Sequence, residues 1–378
     1  MSKELGLAVL QPDYNGTRIP VMEHLLGLSR EAIQHFSGID PLAERHRLNE
    51  AFRRVAEAFE VDLNWGAGLP ADHPNMAVYA WDDGETVKPN ARGDEAVQWG
   101  IFHAAHQENG RHFVHIPKPA SVEEALDFQP LAHFPHTAEQ YRAHFQASYD
   151  AMLASTGDTC YPVPHHYTTC FHWPLAIFGF ELLCLTGIAD EARFSQLMGR
   201  FAEISIRITT AWSQVQGLKG FILHDDLAMT SGPIFSPAWY RRHIFPHYPA
   251  IFEPLIKVAI PIIFCSDGDI TEFVDDIFAA GAEGLNFEHL VDLESLVDRY
   301  PDKILIGNIN SATLARGPKE AIEREVRRCM EIGSRARRFL VNVGGGMTHD
   351  MPIEHLECYV NLRKHLARHL RAVSAGGR

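Results

Sequence analysis

The sequence predicts an α/β chain folded as one (β/α)8, or TIM, barrel, with an inserted hairpin and lid region in its N-terminal half. Three observations carry this expectation. From Gly220 onward, short apolar runs alternate with amphipathic segments, five units at nearly even spacing. The apolar runs are continuous, as parallel strands covered on both faces require. No Gly-x-Gly-x-x-Gly follows an early strand, so an open dinucleotide-binding sheet is disfavoured.

Each element has its own local reason. Arg18–Met22 and Val61–Trp65 are short apolar runs that read as the first two barrel strands, separated by a helical stretch over Leu42–Glu60. Between Ala67 and Pro135 the pattern breaks into short strand-like pieces, Ala77–Trp81 and Phe113–Pro117, with the turn Asp82-Asp83-Gly84. That segment is expected to cover the barrel mouth. Thr159–Val163 is the third strand, followed by a helix from Pro174 to Leu185. Gly220–His224 is the fourth. Ser236-Pro237 then opens a helix reaching Val258, since serine caps well and proline suits the first helical position. Strands Ile260–Cys265, Gly284–Glu288, Lys303–Gly307 and Phe339–Val343 alternate with helices Asp269–Ala280, Asp292–Tyr300, Pro318–Ile332 and Ile353–Leu370. Gly281 and Gly333 fall just past two of those helices, where a left-handed residue is favoured.

Composition narrows the function classes. The chain has 378 residues and is 46% hydrophobic, enough for a large core. It carries 34 Lys and Arg against 48 Asp and Glu, a formal charge of -14. Such an acidic balance disfavours nucleic acid or an anionic membrane as partner. No apolar run approaches the roughly 18–20 residues that span a bilayer. The first residues form no secretory signal, so a cytoplasmic location is expected. The six cysteines show no CxxC spacing and suit a reducing compartment.

In a parallel barrel the carboxyl ends of the strands open onto one face, where the site is built. Polar residues fall just past most of the strands: Trp65, His165-His166, Asp225-Asp226, Cys265 with Asp267, Glu288-His289, Asn308 and Asn342. Any one of these could be a helix cap or plain core; together they describe a rim. Asp226, His166 and His289 are the candidate acid–base groups, and Trp65, Asp225, Asn308 and Asn342 the candidate substrate contacts. Side chains of adjacent strand residues diverge, so only one of Asp225 and Asp226 faces the mouth. Cys265 and Asp267 lie two apart and share a face. With Glu288 from the next strand they form a candidate three-ligand metal cluster, suited to zinc or another borderline ion.

Several of these segments resemble the uroporphyrinogen-decarboxylase-like superfamily. They are Arg18-Ile-Pro-Val21, Asp225-Asp-Leu-Ala-Met-Thr-Ser-Gly-Pro-Ile-Phe-Ser-Pro237, Cys265-Ser-Asp-Gly-Asp-Ile270, Gly284-Leu-Asn-Phe-Glu288, Gly307-Asn-Ile-Asn310 and Val341-Asn-Val-Gly-Gly-Gly346. The likeness is strongest from Gly220 to Pro352. It implies the barrel fold, and it implies either cofactor-free decarboxylation or zinc-dependent alkyl transfer. The arginine-rich segment with which the decarboxylases hold substrate carboxylates does not follow Pro20-Val21 here. In the corrinoid-linked methyltransferase branch, zinc ligands come as His-x-Cys, sometimes a Glu, and a Cys in the last strand's loop. Here Cys265, Asp267, Glu288 and Gly345 occupy those positions.

The resemblance therefore implies a methyltransferase or demethylase acting on a small methylated substrate, with a corrinoid protein or another methyl carrier as partner. Two alternatives stay open. One is a metal-independent decarboxylase or lyase on a small acid, with Asp226, His166 and His289 moving protons. The other is a barrel that binds a ligand without transforming it.

Overall fold

The computed structural model describes residues 3–16, 18–25, 27–65, 96–98, 106–108, 111–115, 118–134 and 137–376. Two parallel sheets make its centre. In the first, β1 (Met22–Glu23) pairs with β2 (Leu63–Trp65). Strands β3 (Ala96–Gln98), β4 (His106–Glu108) and β5 (Arg111–His115) form a separate antiparallel sheet within the expected insertion. The strand expected at Phe113–Pro117 thus falls two residues earlier, and Ala77–Trp81 lies outside the described residues.

The chain returns to the centre at β6 (Tyr161–Val163), which pairs with β2, and continues through Pro164 into β7 (His165–Tyr167), which pairs with β8 (Phe221–His224). One extended segment therefore belongs to both sheets. Proline cannot donate to a ladder, which accounts for the change of partner there. Beyond β8 a hairpin of β9 (Ala228–Met229) and β10 (Gly232–Pro233) leads into the helices. Strands β11 (Ile262–Cys265), β12 (Gly284–Asn286), β13 (Ile304–Ile309) and β14 (Arg338–Val343) then follow in parallel ladders, in sequence order. A parallel bridge joins Val21 to Val341, and the Val341 amide donates to the Pro20 carbonyl at 3.1 Å. The architecture is mixed α/β with parallel central strands wrapped by helices.

Every residue of β8, β11, β13 and β14 is buried, which explains their unbroken apolar character. The helix expected from Pro237 to Val258 is broken into Pro237–His243, a 3-10 turn at Phe245–His247 and Tyr248–Ile256. Pro246 and Pro249 lack the amide hydrogens that a continuous helix would need. The helix expected over Leu42–Glu60 is shortened to Leu48–Ala58, and that over Pro174–Leu185 is split at Gly179 into His172–Phe178 and Phe180–Ala189. Gly179 has a φ of 77°, outside the helical region. Among the described residues no single helix is long and apolar enough to cross a membrane.

Candidate active site

Ladder register sorts the strand side chains into layers. Tyr167 aligns with His224, His224 with Cys265, and Cys265 with Asn286. Two residues earlier, His165, Ile222, Ile263, Gly284 and Ile304 align in the same way. Residues in register on parallel strands point to the same side, and successive residues alternate. Phe264 fixes which side is which: its ring packs on Tyr248 and Phe252 of the surrounding helix, with centroids at 5.4 and 6.3 Å. Its neighbours Ile263 and Cys265 therefore point inward. An aliphatic floor of Ile222, Ile263 and Ile304 carries a polar rung of Tyr167, His224, Cys265 and Asn286. The rim above it bears Asp226, Asp267 and Glu288.

The rim is tightly organised. His224 Nε2 lies 2.8 Å from Asp226 Oδ1, and the Asp267 amide donates to the same oxygen at 3.0 Å. The Tyr167 hydroxyl donates to Asp226 Oδ2 at 2.9 Å. Glu288 accepts from the Gly268 amide at 2.8 Å. Trp65 closes the other wall, against His24, His165 and His224 at centroid distances of 6.0, 5.6 and 5.6 Å. Gly345 adopts φ 70°, and a Cβ there would lie 2.8 Å from Glu288 Oε1. The absence of a side chain at that position makes room for the glutamate.

Charge is distributed unevenly over these groups. Burial works against ionising Asp226, but the charge and hydrogen bond of His224 outweigh it and hold the carboxyl well below the carboxylate range. Burial likewise disfavours the His224 imidazolium, yet Asp226, with help from Asp267 and Asp225, raises its pKa. Asp267 is pushed up to about 6 by burial and by the charges of Asp226 and Glu288, against the pull of His224. Burial, then Asp267, Asp226 and Glu288, drive the Cys265 thiol well above its ordinary value. His24 and His165 are lowered to about 4 and about 3, by burial and by neighbouring imidazoles, so both are neutral near pH 7.

Among the described residues one group of side chains is arranged to hold a metal ion: His224, Asp226 and Asp267, whose ligand atoms lie within 4.8 Å of one another. Ligand atoms bonded to one ion at about 2.0–2.2 Å in a tetrahedron lie roughly 3.4 Å apart, so a pair near the 4.8 Å bound would have to close by more than about an ångström. Three protein ligands leave a position open for substrate, as catalytic sites require. Of the expected ligands Cys265, Asp267 and Glu288, this group contains Asp267, and it adds His224 and Asp226. Cys265 sits one layer below the rim, its thiol pushed well above its ordinary value by burial first and then by three carboxylates.

Other expected site residues face elsewhere. His166 points outward, Nε2 lying 3.0 Å from Ser205 Oγ in the helix Glu191–Trp212, because it alternates with the inward His165 and Tyr167. Asp225 also points outward. Its carboxylate accepts from the amides of Cys170, Phe171 and His172, each at 2.8 Å, and from the Tyr248 hydroxyl at 3.0 Å. It holds the loop ahead of helix His172–Phe178 and is not a substrate contact. Asn308 donates to the Val291 carbonyl and accepts from Arg328, both at 3.0 Å. Asn342 donates to the Met22 carbonyl at 3.0 Å, joining β14 to β1. His289 is half-buried, and its charge is the smallest of those that lower the pKa of Glu325 in the helix Lys319–Gly333. Trp65 and Asp226 both lie against His224. Strand-end reasoning did not assign roles to His24, His165, Tyr167, His224 or Asn286. Two-residue alternation back from Asp226 would have found His224, and alignment across the ladders supplies Tyr167 and Asn286.

The chain matches the family model for uroporphyrinogen decarboxylase (URO-D) over residues 176–366, half of its length. It belongs to that family. The uroporphyrinogen decarboxylases of two strains of Thermus thermophilus are each 30% identical over 181 residues, 47% of this chain and 50% of theirs. That of Pelobacter propionicus is 27% identical over 140 residues, 37% of this chain and 41% of its own. The chain thus spans about half the length of the curated relatives it matches, and the matched part of this URO-D family member contains β8 to β14 with the whole acidic rim.

Proposed function

We propose that this URO-D family member is a methyltransferase or demethylase. It acts on a small methylated substrate at the carboxyl ends of eight parallel strands closed into a barrel, and delivers the methyl group to a corrinoid protein or another methyl carrier. The Val21–Val341 bridge and the sharing of Tyr161–Tyr167 between the sheets support the closed barrel. The observation that carries the functional reading is the convergence of His224, Asp226 and Asp267 at the rim. These three would hold a divalent ion, zinc or a harder one given two carboxylates and no thiolate. The bound ion would supply Lewis-acid polarisation at the open position. Tyr167 and the Asp267 amide keep Asp226 oriented, and Trp65 walls the site opposite.

Metal content of the purified chain, before and after chelation, tests this reading together with methyl transfer from a panel of methylated compounds to cob(I)alamin. Bound divalent ion whose removal abolishes transfer is the expected result. Turnover that survives chelation and releases carbon dioxide would favour the second reading, a metal-independent decarboxylase or lyase. One observation supports that alternative: Asp267, at about 6 beside the ionised Asp226, is poised to deliver a proton.

A further inference from the structure

The site just described selects its ligand by charge and shape. Its charged side chains are Asp226, Asp267, Glu288 and His224, and the charges acting on Asp267 and Cys265 come from these same groups, with no lysine or arginine among the described residues. A divalent ion on His224, Asp226 and Asp267 would still leave three carboxylates against two positive charges. A substrate rich in carboxylates would meet repulsion here, with no lysine or arginine among the described residues to answer it. The floor offers the aliphatic surface of Ile222, Ile263 and Ile304, which suits methyl groups.

Two further features say what would be welcome. Trp65 is half-buried and steadied by the imidazole rings of His24, His165 and His224. An indole so placed attracts an organic cation through its π face, more strongly where water is excluded. Asn286, in register with the inward Cys265, is 5% exposed, and its side-chain nitrogen has no hydrogen-bond partner among the described residues. A buried amide donor of this kind is costly unless a ligand oxygen accepts from it.

We infer that the site takes a small organic cation methylated on nitrogen or sulfur, an ammonium or sulfonium, that carries one oxygen acceptor a few bonds from the charge. The inference rests on the methyl-transfer reading and narrows its substrate. The chemistry is consistent with that reading: the methyl carbon forms its new bond to the carrier's nucleophile as the bond to nitrogen or sulfur breaks. The leaving atom keeps the electron pair and departs as a neutral amine or sulfide, so no proton donor is required.

Choline and 3,3-dimethylbutan-1-ol have the same shape and the same hydroxyl, and differ by the charge. Calorimetric titration of the full chain with each, with and without added Zn2+, separates the two contributions. Choline is expected to bind at least about tenfold tighter than the neutral alcohol. Trp65→Leu and Glu288→Gln should each reduce the preference for choline over the alcohol by about tenfold. Melting curves verify that both variants fold, and Trp65→Phe, which keeps an aromatic face, should retain part of the preference. Equal affinity for the two ligands, or preference for a polycarboxylate such as citrate, would overturn the inference. The two readings fail separately. Choline bound without any methyl transfer leaves the ligand class standing and removes the reaction. Demethylation of a neutral methyl ether, with no choline binding, does the reverse.

Discussion

Asp226 is gripped by His224, by the Tyr167 hydroxyl and by the Asp267 amide, and its charge raises the His224 pKa against the effect of burial. Asp226→Asn should therefore weaken metal retention at least roughly tenfold, a typical result when a metal site is disturbed. It should also lower the His224 pKa, which a histidine NMR titration would read directly. Asp267 gives the site a pH dependence. A carboxyl raised to about 6 is protonated below that value, and a ligand must lose its proton to bind a metal. Metal affinity should fall as the pH drops, first as His224, raised above its ordinary value, takes up a proton and then through about 6 as Asp267 does, with Asp226 contributing no such step because it stays ionised there. Metal titrations between pH 5 and 8 check this, and Asp267→Asn should remove the lower step along with most of the affinity. Cys265→Ala, by contrast, should keep the metal, because the thiol lies outside the ligand set. Which of Asp225 and Asp226 faces inward could not be read from the pair alone; only the divergence could. The same alternation separates His165 from His166. Both are histidines, so composition gives no hint, and the side each takes is set by register against β8.

At the level of elements, Asp225 works outside the chemistry. One carboxylate satisfies three consecutive amides ahead of helix His172–Phe178 and ties them to Tyr248. Asp225→Ala would leave those donors buried and unanswered, and is expected to cost about 3 kcal/mol of stability. Asp225→Asn should cost less, since one oxygen still accepts. Urea unfolding of the two variants provides the measurement. The strands from Gly220 onward were legible because fully buried parallel strands leave continuous apolar runs. Helix ends were less so. The break between Pro237–His243 and Tyr248–Ile256 was written in Pro246 and Pro249, yet an amphipathic pattern running through both prolines conceals it. The long helices Ala138–Thr156 and Glu191–Trp212 escaped the sequence reading. They lie between β5 and β8, where the regular spacing of the second half has not yet begun.

Across the whole molecule, Glu23 links the first strand to the last helix. Its carboxylate accepts from the Tyr359 hydroxyl and from the Val343 amide, the latter at 3.3 Å, and burial raises it from 4.5 to about 7 despite these bonds and the charge of Arg363. The folded chain thus binds a proton there that the unfolded chain has already released. Stability from this group is full below about pH 4.5 and is lost as the pH rises to about 7. Thermal melts over that window should show the decline, and Glu23→Gln should flatten it. Contacts of this kind, spanning more than three hundred residues, leave no local pattern in a sequence. Family motifs did bring out the strand ends of the second half. The meeting of the two chain ends came only from the fold.

Gly345 has a bearing on how such a site can change over time. A side chain at this position would need both a strained backbone and the space that Glu288 occupies. A cysteine there, the ligand suggested by the methyltransferase-like branch, and a glutamate at 288 in its present pose are thus alternatives. An evolutionary path between the two arrangements has a preferred order: the glutamate must shorten or turn away before the loop can acquire a thiol. Gly345→Cys should be poorly tolerated in the present chain and better tolerated on a Glu288→Ala background. Reciprocal dependence of this sort would keep two lineages of one fold apart even where each lies a few substitutions from the other.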